Sequence, residues 1–480
     1  MKKLLCLLPL MACGDDGATP ADAAIDSQVA DDAPPIDAPP TSGTVTVTIR
    51  DNGAAVEGVN VYFQNPDGSL AAKVATNASG VASATMMTGG WVTAVDARAP
   101  SLPSFGGRPI DHELKTWAGV EPGDQLLIED GGGSVSSITA TVTLPTNNNL
   151  SYAELHTTCG EDVVIPGQSD SITLWDCNGA ADIIVIGFDD ESLPIGYFYK
   201  ANVTVADAGT LDFAAETYAA LPDATFSFSN FPAEFSGLEL ENQIVTPHGN
   251  IYEVGDSTAL ASGAASVMVE RPLPTPSKSI LTSFLATGSS THALFSWQAT
   301  AATHAFDATG KILPSFSSTP TYDAATRRVS WESTGTIMPD MAMYEMYVGR
   351  DGGGWTWEIL APYTGTSVTM PDLPTEIAEY LPLATDTVVT DELGAARLPG
   401  GYDAIRPIFY ASSDGPPTSG SSGDISVVFF QDLRVARTPA PTLFSNTAKD
   451  KLRAAQKAAM KAKLAKVRAA KTNKMAKRAR

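Results

Sequence analysis

Gly43-Thr44-Val45-Thr46-Val47-Thr48-Ile49 alternates polar and apolar residues without a break. Successive side chains of a strand point to opposite faces, so Val45, Val47 and Ile49 fall on one buried face. Asp51-Asn52-Gly53 follows as a turn. Val59, Val61 and Phe63 then alternate, Asp67-Gly68 turns the chain, and Val74-Ala75-Thr76 resumes it. Gly80 marks the next turn, and Trp91–Val95 reads as another strand. Short strands with turn signals at about 8–12-residue spacing predict a β-sandwich.

The same reading extends along the chain. Gln125–Ile128 is a strand and Gly131-Gly132-Gly133-Ser134 a linker. A second module is expected over 135–220, with strands at Ile138–Leu144, Ser171–Trp175, Asp182–Ile186, Ala201–Val205 and Thr210–Phe213. A third β-rich region, 223–313, holds the alternating Thr225–Phe231 run, Ala265–Val269 and Ala293–Trp297. Pro272, Pro274 and Pro276 mark a loop between edge strands there. A fourth region, 314–440, contains Arg328–Trp331, Met343–Val348, Trp355–Ile359, Ser367–Met370 and Val427–Phe430, with a polar loop at Ser412–Gly423. At about 150 residues per domain, 480 residues accommodate about three such modules. The predicted class is mostly β: tandem Ig-like or transthyretin-like sandwiches between a disordered N-terminal stalk and a basic C-terminal helix.

The run Val47-Thr-Ile49-Arg-Asp51-Asn-Gly53, Val56-Glu-Gly58-Val59-Asn-Val61, Gly68 and Thr76-Asn-Ala-Ser-Gly80 resembles the carboxypeptidase regulatory-like domain, over about residues 43–97. The resemblance implies a transthyretin-like (prealbumin) sandwich, expected over 43–130, with a non-catalytic spacer or binding role. No peptidase domain lies beside it. In the fourth region, Trp331, a hairpin and then Pro371-Asp372-Leu373-Pro374 are similar in order to a fibronectin type III domain.

The N-terminus reads as an export signal. Lys2 and Lys3 precede a short apolar run, residues 4–12, too short to span a bilayer. Leu10-Met11-Ala12-Cys13 resembles a bacterial lipobox, in which the Cys thiol takes up diacylglycerol and the chain is cut before it. The resemblance implies a signal peptide over 1–12, lipidation of Cys13 and anchoring in the cell envelope. Gly14 after the Cys points to the outer membrane. An ordinary secretory signal is the alternative. Residues 13–42 carry seven Asp, no Lys or Arg, and the pairs Pro34-Pro35 and Pro39-Pro40. They predict an acidic, extended, disordered stalk.

Charge is divided unevenly. The net charge is −23, yet residues 449–480 hold 13 Lys and Arg against one acid, Asp450. The tail is therefore +12 and the remainder −35. An acidic body argues against specific nucleic-acid binding by the whole chain. The 447–480 segment is rich in Ala, Lys, Arg and Leu, all helix formers. It predicts a basic helix whose Lys457, Lys461, Lys463, Lys466, Arg468 and Lys471 contact polyanions. Packing of this helix on its own acidic body, a solvated helix without a partner, and a reading frame that runs past the true stop are the alternatives.

Of four cysteines, Cys6 leaves with the signal and Cys13 is lipidated. Cys159 and Cys177 remain, an even pair expected to form a disulfide in an oxidising compartment. Closing that loop stabilises by roughly 3 kcal/mol. A catalytic Cys partnered by His156 is the alternative, and it requires a free thiol. No G-x-S-x-G elbow, H-E-x-x-H helix or Walker loop occurs. His112, His156, His248, His292 and His304 are well spread and expected on the surface or on edge strands. No catalytic residue, metal or cofactor is therefore expected. Phe188-Asp189-Asp190-Glu191 is the densest acidic cluster and reads as a solvated loop. Trp175, beside Cys177, is expected in a core. Trp355 and Trp357 share one face of a strand. Exposed, they would contact polysaccharide; buried, they are core, and alternation within a sandwich favours the core.

The expected function is that of a non-enzymatic, lipid-anchored cell-surface protein that binds envelope or extracellular polymers. The alternatives are a carbohydrate-active enzyme or its accessory subunit, and a purely structural spacer. Oligomeric state is left open.

Overall fold

The computed structural model describes residues 42–51, 53–96, 112–130, 137–147, 149–166, 171–175, 177, 179–350, 353–411 and 422–430. The expected signal peptide, Cys13, the expected stalk, the expected Gly131–Ser134 linker and the basic segment 447–480 lie outside these residues.

The chain is mostly β, in several sheets. Strand Ser42–Asp51 forms where the alternation places it and buries Val45, Val47 and Ile49. It pairs antiparallel with Val81–Met87 and parallel with Gln125–Asp130, which in turn pairs parallel with Tyr410–Ala411. Gly80, one of the turn residues, has φ +73°. A Cβ there would lie 2.4 Å from the Ile49 carbonyl oxygen, so the turn requires glycine.

Facing this sheet is a much longer one. Its first half runs Gly249–Ala259, Gly237–Thr246, Lys278–Thr287, Ser290–Ala299, Gly423–Phe430 and Thr387–Arg397. It continues through Met341–Arg350, Gly353–Pro362, His112–Val120, Gly90–Asp96, Asn60–Gln64 and Leu70–Ala75. Strands of the 43–130, 223–313 and 314–440 stretches thus share twelve places in one sheet. The junction is parallel, with Trp355 opposite His112 and Leu360 opposite Trp117. A parallel pair needs a crossover between its strands, and here the intervening chain is about half of the sequence.

The long sheet is covered on both faces. On one, Val92, Trp117, Met343, Leu360, Phe295 and Val427 meet Val45, Val47, Leu126 and Ile128 of the smaller sheet. On the other, Tyr344, Met346, Trp357 and Leu393 pack under Val329, Trp331 and Val368. Farther along that face, Leu240, Leu281 and Leu294 pack under Phe226, Phe228 and Phe306. Two-sided burial explains why Met341–Arg350 and Gly353–Pro362 read as continuous apolar runs rather than alternations. It also explains why Tyr62 and Gln64 are buried although they point away from Val61 and Phe63.

Residues 137–213 form a separate sandwich. One sheet orders Gly160–Val164, Tyr152–Thr157, Ala180–Phe188 and Pro194–Thr204. The other orders Ser171–Trp175, Ser137–Thr143 and Gly209–Asp212. Between them lies a core of its own, including Val142, Leu155, Ile172, Leu174, Ile183, Val185 and Phe198. A disulfide joins Cys159 to Cys177 with Cα atoms 5.3 Å apart, as the cysteine arithmetic predicts. It ties the turn after Tyr152–Thr157 to the end of Ser171–Trp175, and so links the two sheets.

Candidate functional site

Trp355 and Trp357 stand on the long-sheet strand Gly353–Pro362 and are 6% and 0% exposed. Trp357 Nε1 donates to Thr116 Oγ1 at 2.9 Å, across the parallel junction. Trp355 lies edge-on to Tyr380 at 5.7 Å, and the Arg350 guanidinium is 4.9 Å from its ring. Neither indole offers a face to polysaccharide, so that contact is corrected to core packing. The cause is the second layer, residues 313–334 and 367–380, which closes over this face of the hairpin. Trp175 differs the other way. Ile172 and Leu174 point into the core, which leaves the neighbouring Trp175 half-buried at the strand end, its backbone N–H donating to the Cys159 carbonyl at 2.9 Å.

The same strands carry a line of charge that sequence reasoning missed. Register places Glu392 opposite Glu345, Glu345 opposite Glu358, and Glu358 opposite Lys115. The four are 8%, 4%, 1% and 5% exposed, on the face that packs against the smaller sheet. Neighbouring strands are about 4.8 Å apart, so the side chains stand at that spacing across the sheet. Lys115 Nζ is 3.4 Å from Glu113 Oε1 and 5.9 Å from the centre of the Tyr410 ring. Tyr410 O–H lies 3.3 Å from the Thr116 carbonyl and 3.4 Å from that of Glu358. Burial, followed by the carboxylates of Glu358, Glu345 and Glu113 and the Tyr402 phenol, holds the Tyr410 phenol well above its ordinary range. All five charged side chains engage polar or charged neighbours.

Two helical turns brace this region. Tyr402, in helix Gly401–Ile405, donates to the carbonyls of Ala118 at 2.6 Å and Leu360 at 3.2 Å. Arg406 binds Asp124 at 2.8 Å and the Gly119 carbonyl at 2.8 Å. Adjacent buried carboxylates are the equipment of acid–base chemistry. The cleft beside them, lined by Val59, Asp96, Glu113 and Lys115, offers about 10 Å³, room for roughly one water molecule. The arrangement can hold charge and protons inside the sheet, but this cleft is too small for a sugar ring. The signal in the sequence is a charged residue inside a run that is otherwise apolar: Tyr344-Glu345-Met346, Trp357-Glu358-Ile359 and Leu114-Lys115-Thr116.

Three of the five histidines are not surface residues. His292 stands on the central strand Ser290–Ala299, its ring edge-on to Phe235 at 5.2 Å and its Nε2 3.0 Å from Ser315 Oγ. His304 lies on the edge strand Thr303–Asp307 yet is buried, with Nε2 3.3 Å from Ser296 Oγ. Burial brings both down to about 4, and Arg271 adds to the effect at His304, so both rings are neutral at pH 7. His156 is buried in the second sandwich for a different reason. Its Nε2 is 3.6 Å from Glu154 and its Nδ1 3.6 Å from Glu161, two ion pairs longer than hydrogen bonds. Burial pulls the imidazole down, but the two carboxylates more than reverse this and raise it to about 9. His248 is exposed in a hairpin turn, 3.0 Å from the buried Asp182. Among the described residues no three His, Cys, Asp or Glu side chains are grouped to hold a metal ion. The disulfide removes the free thiol that a Cys159–His156 or Cys177–His156 dyad would require.

Asp189, in the acidic cluster, caps its turn by accepting from the N–H groups of Glu191 at 2.8 Å and Leu193 at 2.9 Å. Lys457, Lys461, Lys463, Lys466, Arg468 and Lys471 fall outside the described residues, as does Cys13.

No family model and no curated protein matches the chain. Among solved structures it is similar to the Bacillus anthracis TIE protein at 11% identity and a TM-score of 0.15, over 56% of this chain and 51% of that one. The match thus spans about half the length of that protein. A putative adhesin from Bacteroides ovatus matches at 9% identity and a TM-score of 0.15, over 35% of this chain and 88% of that one. A tandem repeat from the extending region of a large adhesion protein matches at 10% identity and a TM-score of 0.12, over 74% and 94%. Scores this low carry no argument about what the present chain does.

Proposed function

We propose that the chain is a non-enzymatic, lipid-anchored bacterial surface protein. In this reading an acidic stalk displays the β-sandwich body, and the cationic tail holds polysaccharide or other polyanions of the envelope or its surroundings. The observation that carries the reading is the burial of Trp355 and Trp357. The aromatic pair suited to a sugar platform is core, which leaves the +12 tail as the polymer-binding element. The facing sheets over 42–130 support the carboxypeptidase regulatory-like reading of that stretch. Gly14 after Cys13 supports the outer membrane as the location.

Co-sedimentation with isolated envelopes and acidic polysaccharide, across a salt series, tests the proposal. The chain without its acyl anchor (Cys13→Ser) is expected to pellet at low salt and to be released as salt rises. A variant of it with Lys457, Lys461, Lys463, Lys466, Arg468 and Lys471 changed to Gln is expected to stay in solution. Binding that survives both salt and neutralisation would move the site into the sandwiches and overturn the tail as its carrier. The continuous sheet also favours a second reading, a rigid structural spacer. Its signature is no binding by the Cys13→Ser chain at any salt concentration.

A further inference from the structure

Strands His112–Val120 and Gly353–Pro362 lie side by side and parallel, with Lys115 directly opposite Glu358. Both side chains are buried between the long sheet and the smaller one, Glu358 at 1% exposure. An amine and a carboxyl from segments about half a sequence apart are thus shut in together. Two further carboxyls flank them. Glu113, two residues before Lys115 and so on the same face of its strand, holds Oε1 3.4 Å from Lys115 Nζ. Glu345 stands opposite Glu358 on its other side. The Tyr410 ring lies over the group, 5.9 Å from Lys115 Nζ. Beside it is the cleft lined by Asp96, Glu113 and Lys115, with room for roughly one water molecule.

Burying an ammonium and a carboxylate costs desolvation free energy that their attraction offsets only in part. An amide in their place removes both charges from the interior. Groups held in contact in this way react as parts of one molecule, at effective concentrations on the order of 10⁵ M when well oriented. The two sheets also keep out the bulk water that would hydrolyse the product.

We propose that Lys115 and Glu358 condense in the folded chain to an intramolecular amide cross-link. The Lys115 Nζ–Glu358 Cδ bond forms, and one Cδ–O bond of Glu358 breaks. Glu113 takes a proton from the Lys115 ammonium, which releases the nitrogen lone pair to attack Cδ. It passes that proton to the departing Glu358 oxygen, and a second nitrogen proton follows the same route. One ammonium and one carboxylate become one amide and one water, and no oxidant, reductant or activating group is consumed. The water leaves into the adjoining cleft, and Glu113 ends as it began. Burial selects Glu358 as the acceptor. Its carboxyl is enclosed, whereas the Glu113 side chain is 17% exposed and borders the cleft, where water solvates its charge. The cross-link joins two strands that share a sheet but are remote in sequence, and the disulfide lies in a different part of the fold.

The test reads peptides from the full chain, folded, then denatured and digested, by tandem mass spectrometry. The expected product is a branched peptide that joins the Lys115 and Glu358 segments and is lighter than the pair by one water. Lys115 is then resistant to trypsin and to amine-labelling reagents. On a reducing, denaturing gel the closed loop is expected to run ahead of a Lys115→Met chain, which cannot form it. Glu113→Gln keeps both bonding partners and removes the proton carrier. Followed from fresh synthesis, its closure is expected to slow by about 100-fold or more. Closure at the unmodified rate in Glu113→Gln would overturn the role of Glu113. Recovery of the two segments as separate peptides, with Lys115 still an amine, would overturn the cross-link whether or not either variant folds. A bond from Lys115 to Glu113 would overturn Glu358 as the acceptor.

Discussion

The second sandwich and the body around the long sheet bury a β-rich chain in two ways. The sandwich at 137–213 draws on one stretch of sequence, closes one core and adds a disulfide. The body draws on stretches hundreds of residues apart and covers its main sheet on both faces. The difference extends to charge. In the sandwich His156 is held protonated between carboxylates. In the body His292 and His304 are held neutral beside serines. Burial alone therefore does not decide a histidine's state; the neighbours that come with it do.

Three experiments bear on this comparison. The largest effect is expected from Trp357→Ala. It removes a fully buried ring and its bond to Thr116, and costs about 4 kcal/mol by urea denaturation. Hydrogen-exchange protection should fall together in His112–Val120 and Met341–Arg350 and persist in Tyr152–Thr157. Equal loss in the sandwich would show that the two regions do not unfold separately.

The next effect is on pH dependence. His292 and His304 titrate at about 4 in the folded body against an ordinary 6.5, so the unfolded chain binds protons first. Stability of the body is present above pH 6.5 and is lost as pH falls through about 4, by about 2 kcal/mol for each ring between pH 7 and pH 5. His156 predicts the opposite slope for the sandwich, on the alkaline side. Unfolding followed region by region at pH 5, 7 and 9 checks both; parallel slopes would remove the contrast. The smallest effect is expected from Cys159→Ala combined with Cys177→Ala. It should cost roughly 3 kcal/mol within the sandwich and leave the body unchanged, as read by limited proteolysis.

Much of the local structure is legible in the residues. Val45, Val47 and Ile49 announce their strand by alternation, and Phe226 and Phe228 announce theirs. The core reading of Trp355 and Trp357 follows from the same logic. The Cys159–Cys177 pairing follows from counting. The buried charge line does not, because it exists only once three long-range registers are set. Lys115 meets Glu358 across a pairing of strands far apart in sequence, which no local pattern encodes. His156 and His292 stand on central strands, against expectation, for a related reason. Period-two alternation reports one buried face, whereas His292 lies on a strand buried on both.

The parallel pairing of Ser42–Asp51 with Gln125–Asp130 has a mechanical consequence. A pull applied at Ser42 runs along the strand axis. The strand is bonded to Gln125–Asp130 on one side and to Val81–Met87 on the other. Such a load shears both ladders at once instead of peeling them one bond at a time. The first described strand is therefore placed to bear tension as a unit, and rupture there would require many hydrogen bonds to fail together.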